Sequence, residues 1–250
     1  MKIIQCLQAY REDGDDWTFD HYSIVLSQGT EVFKAQSQLE FTISLDIDAE
    51  QLDCPLIPIP KEDLWPPFTD HLTLAPHPLP NDTFLKKPSL IGLGSETGPK
   101  PREILLHEAH MCEILRRHPH PHIASYLGCV RDEGLVTGLC FVRYKETLSD
   151  RLRDSNRPLN LRSCLKGVKN GLDHLHDLGL NHNDINPANI MLDKEDVPII
   201  IDFDSCQREG DLSFGIGTPG WTNGSITGIS VRKNDDFGLM QLYKNFLKDA

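Results

Sequence analysis

The chain has 250 residues, a net charge of −12 and seven scattered cysteines, and its length suffices for one sizeable domain or two lobes. The acidic balance, with no basic stripe to neutralise phosphates, argues against a nucleic-acid-binding surface. An odd cysteine count without a CxxC pair points to neither a disulfide frame nor a zinc site and fits a reducing compartment, cytoplasm or nucleus.

The N-terminal stretch MKIIQCLQAYREDGDD turns polar too early for a signal peptide. No apolar run approaches the ~18 residues of a membrane span, so no membrane partner is expected. The first sixty residues read as strands joined by turns. His21 to Leu26 and Glu31 to Ala35 flank Ser27-Gln28-Gly29-Thr30 as a hairpin, and Leu39 to Ile47 alternates apolar and polar residues as a half-buried strand does. Prolines then crowd residues 55–80. Proline fixes φ and lacks a donor, so this segment reads as a linker holding only short edge strands such as His71 to Leu74.

Residues 91–98 contain Gly92-Leu93-Gly94-Ser95-Glu96-Thr97-Gly98, which reads as a flexible strand-to-helix connection rather than a phosphate cradle. Residues 101–117, PREILLHEAHMCEILRR, form a helix with Leu105, Met111, Cys112 and Leu115 as its apolar stripe. His118-Pro119-His120-Pro121-His122-Ile123 spaces three histidines between prolines, which fits a loop better than a metal site. Two strands follow, Ile123 to Val130 and Leu135 to Tyr144, joined by the turn Arg131-Asp132-Glu133-Gly134. A short helix begins over Leu148 to Arg153. A longer one runs from Leu161 to Leu178, with Leu165, Val168, Leu172, Leu175 and Leu178 at helical spacing and with His174 and His176 in structural roles.

Chemistry concentrates in HNDINPANIMLDKEDVPIIIDFD, residues 182–204. Asp184 and Asn189 are five residues apart, and Asp202 lies eighteen beyond Asp184, after two apolar strands, Ile190 to Leu192 and Pro198 to Ile201. A loop carboxylate can accept or orient a hydroxyl proton. An amide oxygen and a second carboxylate together can hold Mg²⁺ against nucleotide phosphates.

This stretch resembles the catalytic loop and magnesium motif of protein kinases, HRDxxxxN followed by DFG. His182, Asp184, Asn189, Asp202 and Phe203 match. Asn183 stands for the arginine, Asn186 for the lysine and Asp204 for the glycine. The resemblance extends to Thr83-Phe84-Leu85-Lys86 as the VAIK-like strand, with Lys87 an alternative to Lys86 because adjacent strand residues face opposite sides. It makes Glu108 the partner of that lysine, Val142 the gatekeeper and Arg143-Tyr144-Lys145 the hinge beside adenine. Gly217-Thr218-Pro219-Gly220-Trp221 is similar to the end of an activation loop, with Asn223-Gly224-Ser225 in place of APE, and Asp235 would brace the catalytic loop.

What the resemblance implies is an α+β, two-lobed kinase-like fold, with a strand-rich extension over residues 1–70, a small lobe over 71–144 and a shortened large lobe over 145–250. It implies an ATP- and Mg²⁺-dependent Ser/Thr-type kinase acting on a protein substrate. Asp184, Lys86 and Glu108 would be catalytic, Asn189 and Asp202 would hold metal, and Lys86, Val142, Arg143, Tyr144, Asn189 and Asp202 would bind the nucleotide. No glycine lies between Gly29 and Gly92, so a glycine-rich loop ahead of the lysine is missing. Phe84 at the alanine position narrows the adenine pocket, and Asn186 removes a cation beside the transferred group. A pseudokinase scaffold and a small-molecule phosphotransferase of the aminoglycoside or choline kinase type are the alternatives.

Overall fold

A computed structural model describes residues 1–13, 16–29, 31–43, 46–48, 52, 54–88, 90, 99–154, 156–212, 217–222 and 228–246. The Gly92 to Gly98 connection, Asn223-Gly224-Ser225 and part of the Leu39 to Ile47 segment fall outside them. The protein is mixed α and β with a strand-rich N-terminal region. It divides into two compact units, residues 1–66 with 88–102, and residues 67–87 with 103–250.

The first unit is an antiparallel sheet of β1 (Lys2–Asp13), β2 (Asp16–Gln28), β3 (Glu31–Ser37) and β4 (Ile57–Ile59), followed by the single-turn helix α1 (Lys61–Leu64). Alternation sorts its side chains onto two faces. Ile3, Ile24, Leu26 and Ala35 pack on one, and Val25, Val32 and Leu64 on the other. The expected hairpin forms, with Gln28 opposite Glu31. Over Leu39 to Ile47 the described residues form no strand: they contribute one bridge, Asp46 to Lys2, and leave Leu39 and Ile43 exposed. Alternation supplies a face but no ladder partner. β4, not this segment, occupies the outer edge of β3.

The second unit opens with an irregular proline-rich segment. His71 to Leu74 reduces to one bridge between Leu74 and Cys129, because prolines 76, 78 and 80 leave no donors for a longer ladder. Glu113 ties this segment down by accepting from Thr73 N at 2.6 Å and Thr73 Oγ1 at 2.9 Å. Then come β5 (Thr83–Lys86), α2 (Pro101–Arg117), β6 (Tyr126–Asp132) and β7 (Leu135–Val142), with sheet order β5-β7-β6. Proline at the first helical position, Glu103 in the first turn and Arg116 and Arg117 in the last suit the ends of α2. Its expected apolar stripe is buried. Ile123 makes only a bridge to Ile200, so β6 starts three residues later than expected.

The rest comprises β8 (Glu146–Thr147), α3 (Leu148–Arg153), α4 (Leu161–Asp177), β9 (Leu180–Asn181), a 3₁₀ turn (Pro187–Asn189), β10 (Ile190–Leu192), β11 (Pro198–Ile200), β12 (Gln207–Arg208) and α5 (Arg232–Phe246). Asn160 caps α4 by accepting from Ser163 N at 3.0 Å. Leu165, Val168, Leu172 and Leu175 bury its inner face. Gly167 lets that face approach β11 closely, since a Cβ there would lie 2.5 Å from Pro198 Cγ. β10 pairs with β11, Ile190 opposite Ile200, and also with β8, so the segments carrying Asn189 and Asp202 leave one small sheet side by side.

Candidate active site

β5 and α2 set the first half of the site. On β5, Lys86 pairs with Leu139 of β7 and sends its ammonium to Glu108 of α2, at 2.8 Å from Oε1 and 2.6 Å from Oε2. Lys87 is exposed, as alternation requires of its neighbour. The same ammonium donates to Asp202 Oδ1 at 2.6 Å and lies 4.0 Å from Asp204 Oδ2. One cation therefore faces three carboxylates. Burial alone would depress Lys86, but Glu108, then Asp202 and Asp204, outweigh it and hold the ammonium above its ordinary value. Burial pushes the Glu108 carboxyl up to about 7 against the pull of Lys86. At Asp202 burial is outweighed by Lys86, and the carboxyl sits below its usual range; at Asp204 burial and the neighbouring Asp202 raise it.

Asp202 has φ +68°, a left-handed conformation that aspartate tolerates better than most residues. Phe203 beyond it is fully buried, edge-on to His182 at 5.7 Å between ring centroids, and its amide donates to Glu108 Oε1 at 3.1 Å.

The loop carrying Asp184 is held by buried polar groups. His182 Nε2 donates to Ile201 O at 2.9 Å and its Nδ1 accepts from Asp184 N at 3.3 Å, which fixes the Nε2–H tautomer. Asp235, fully buried on α5, accepts from His182 N at 2.9 Å, Asn183 N at 2.7 Å and His176 Nε2 at 2.8 Å. Three donors compensate one desolvated carboxylate. Asn183, at φ +65°, donates from its amide to Asn181 O, Ser205 O and Ser230 Oγ and accepts from Asn234 Nδ2. All these partners are uncharged.

Asp184 Oδ2 accepts from Asn189 Nδ2 at 2.9 Å, and the same amide nitrogen reaches Asp184 O at 2.9 Å. With its nitrogen so committed, Asn189 turns its amide oxygen away from Asp184. Asp184 also accepts from Thr218 N at 2.7 Å and Thr218 Oγ1 at 3.1 Å. Gly217 permits that approach: it has φ +67°, and a Cβ would meet Asn183 O at 2.9 Å. Asn186 caps the 3₁₀ turn, accepting from Ala188 N at 2.9 Å, and donates to Thr218 Oγ1 at 3.2 Å. In the sequence Asn186 reads only as a lost cation, and Thr218 has no role; their contacts join segments 32 residues apart, which no local spacing reveals.

A cleft of about 410 Å³ opens beside Lys86 and Asp202, lined also by Phe84, Val142, Arg143 and Tyr144. Sequence reasoning misses Phe141, Met191 and Ile201, apolar wall residues placed by the registers of β7 and β10 and, for Ile201, by the hydrogen bond of its amide to Asn189 O at 3.0 Å. Arg143 lies over the Phe84 ring at 5.9 Å and donates to Thr83 O at 2.8 Å. The amides of Arg143 and Lys145 already donate to Asp82 O and Leu192 O. The histidines of the 118–123 loop serve packing: His120 stacks on His174 at 4.7 Å, and His122 Nδ1 donates to Pro198 O at 2.8 Å.

A family model described as the protein kinase domain matches residues 95–224, just over half of the chain. That range holds Glu108, Asp184, Asn189 and Asp202 but not Lys86 or Asp235, which rest on geometry. The serine/threonine-protein kinase Tao of Drosophila melanogaster is 32% identical over 114 residues, 43% of this chain and 11% of that protein. The transforming serine/threonine-protein kinase mos of Moloney murine sarcoma virus is 36% identical over 112 residues, 43% of this chain and 30% of that protein. The serine/threonine-protein kinase/endoribonuclease ire-1 of Caenorhabditis elegans is 28% identical over 120 residues, 41% and 12% respectively. The chain thus spans under a third of the length of each of these relatives.

Proposed function

The chain belongs to the protein kinase domain family, and on that premise we propose that it transfers the γ-phosphoryl group of ATP, with Mg²⁺, to a serine or threonine hydroxyl of a protein. The observation that carries this reading is the junction at Lys86, whose ammonium is shared between Glu108, 22 residues away, and Asp202, 116 residues away. An ammonium held at the mouth of an apolar cleft is placed for phosphate oxygens, while the cleft walls suit a flat heterocycle. In this reading residues 71–144 and 145–250 are the two lobes, residues 1–70 precede them, and Val142 to Lys145 form the hinge.

The donor set fits Mg²⁺. Asp202 offers a carboxylate, and Asn189 offers an amide oxygen oriented by the two bonds that its nitrogen makes to Asp184; hard oxygen donors in small number, completed by water and phosphate, are what this ion prefers. Bound there, Mg²⁺ would neutralise charge on the phosphates during transfer. Asp184 orients the attacking hydroxyl and receives its proton. Lys86 would exchange one of its carboxylate partners for phosphate oxygens, and Glu108 keeps it aimed. Thr218, bonded to Asp184, closes the acceptor side. Asn183, whose side-chain amide meets only uncharged groups, offers no cationic receptor for a phosphorylated loop, which supports activity without loop phosphorylation.

Calorimetric titration of ATP with and without Mg²⁺, on the wild type and on Asp202→Ala, tests the nucleotide site. Magnesium-dependent binding absent from the variant is the expected result; no binding at millimolar ATP by the folded protein would leave the scaffold reading. A peptide array run beside a panel of small alcohols and amino sugars separates protein from small-molecule acceptors.

A further inference from the structure

β1 and β2 continue past the sheet to which they belong. The β2–β3 ladder ends at Tyr22 opposite Ser37, whereas the β1–β2 ladder runs on through Ala9–His21, Tyr10–Phe19, Arg11–Thr18 and Glu12–Trp17 to Asp13–Asp16. Beyond Tyr22 this is a two-stranded arm. A register shift between Ala9 and Tyr10 leaves Asp20 without a cross-strand partner. A bulge of this kind turns the following residue to the other face, and here it brings Phe19 onto the face of Tyr22, with ring centroids 5.0 Å apart. Tyr10, opposite Phe19, meets it edge-on at 6.2 Å. Trp17, two residues from Phe19, continues the same face.

The result is an aromatic ladder of Trp17, Phe19 and Tyr10, 66%, 40% and 50% exposed. The sequence of the arm is acidic. Between residues 11 and 20 the chain carries Glu12, Asp13, Asp15, Asp16 and Asp20 against a single cation, Arg11, which lies 3.8 Å from Asp20. Two-stranded arms are marginal in water, and the ring contacts across this one still leave much of the aromatic area open to solvent. The charge selects the occupant. A second copy would bring two acidic arms together, and an anionic membrane would be repelled in the same way. A cationic segment instead gains contact of its guanidinium or ammonium groups with the ring faces and attraction to the net negative charge that the sequence of the arm carries.

We propose that this arm is a docking surface for a basic segment of another protein, one in which arginine or lysine alternates with apolar residues. The test is fluorescence polarisation of a labelled peptide of alternating arginine and leucine, titrated with the full chain. Saturable binding that weakens as salt rises is expected, with Trp17→Ala and Tyr10→Ala each weakening it about tenfold. Trp17→Phe should retain most of the affinity, because it keeps an aromatic face. The proposal is overturned by the absence of saturable binding at millimolar peptide. Equal affinity of wild type and Trp17→Ala also overturns it, since diffuse attraction to an acidic protein would then suffice. So does a wild-type dimer in sedimentation that Trp17→Ala converts to monomer, which would make the arm a self-association surface.

Discussion

The two units bury different kinds of side chain. The core of the first is Ile3, Ile24, Leu26 and their apolar neighbours, and among its described residues Ser37 is the one fully buried polar residue. The second unit encloses Glu108, Arg151, His182, Asn183, Asn189 and Asp235, among others, within an apolar core of its own. Desolvating a polar group costs free energy unless its hydrogen bonds are replaced. An apolar sheet core needs only shape. A core that carries a loop of reactive groups must satisfy each of them, and the bonds that do so leave one arrangement of the loop. The contrast teaches where rigidity has been built. In the second unit it lies along the line from Asp235 through His182 and Asn183 to Asp184.

The largest expected effect tests the end of that line. Asp184→Asn keeps one oxygen for Thr218 Oγ1 and Asn189 but loses the acceptor of Thr218 N and cannot take up a proton, and phosphotransfer in single turnover should fall by about 10²–10⁴ while stability falls by only about 1–3 kcal/mol. A fall of less than tenfold would deny Asp184 its role and weaken the contrast. Next is Asp235→Ala, which leaves His182 N and Asn183 N buried without their acceptor. Each such amide costs about 1–3 kcal/mol, so urea denaturation should show a loss of about 3–5 kcal/mol. Ile24→Val in the first unit removes one methylene from an apolar core and should cost only about 0.5–1.5 kcal/mol, read by hydrogen exchange in β1 to β3. An equal cost at Ile24 and Asp235 would break the comparison.

Legibility in the sequence follows the same division. α2 and α4 are readable because their apolar residues recur at helical spacing, and the β10–β11 pair because two short apolar runs flank polar turn residues. Asp184 and Asn189 lie five residues apart, so their shared hydrogen bond is local and their proximity can be read. Lys86 against Lys87 cannot be decided from one strand, since the choice depends on which face β5 turns toward α2. The bonds that Asn186, Thr218 and Ser230 make to distant segments escape notice because they follow no period. The described part of Leu39 to Ile47 forms no strand for a matching reason, a ladder partner being a property of the sheet and not of the segment. The bulge at Asp20, on which the aromatic ladder depends, likewise exists only as a mismatch between two strands.

The smallest effect concerns charge that is satisfied but lies nearer the surface. Arg157 donates to Glu146 at 2.9 and 2.6 Å, and Arg151 donates to the same carboxylate at 3.1 Å. The Arg157 hydrogen bonds, then that of Arg151, outweigh partial burial and hold the Glu146 carboxyl down at about 2. A carboxylate whose pKa is lower folded than unfolded binds fewer protons in the native state. Its contribution is therefore fully present above the ordinary value near 4.5 and is lost as pH falls through about 2. Glu146→Gln should leave stability near pH 7 slightly reduced and flatten its decline between those two values, measured by urea midpoints at stepped pH. Were the acid limb unchanged, the native-state protonation that destabilises the protein would belong instead to Asp202, the carboxylate beside Lys86 that is held below its usual range, and the same titration on Asp202→Asn would then carry the change.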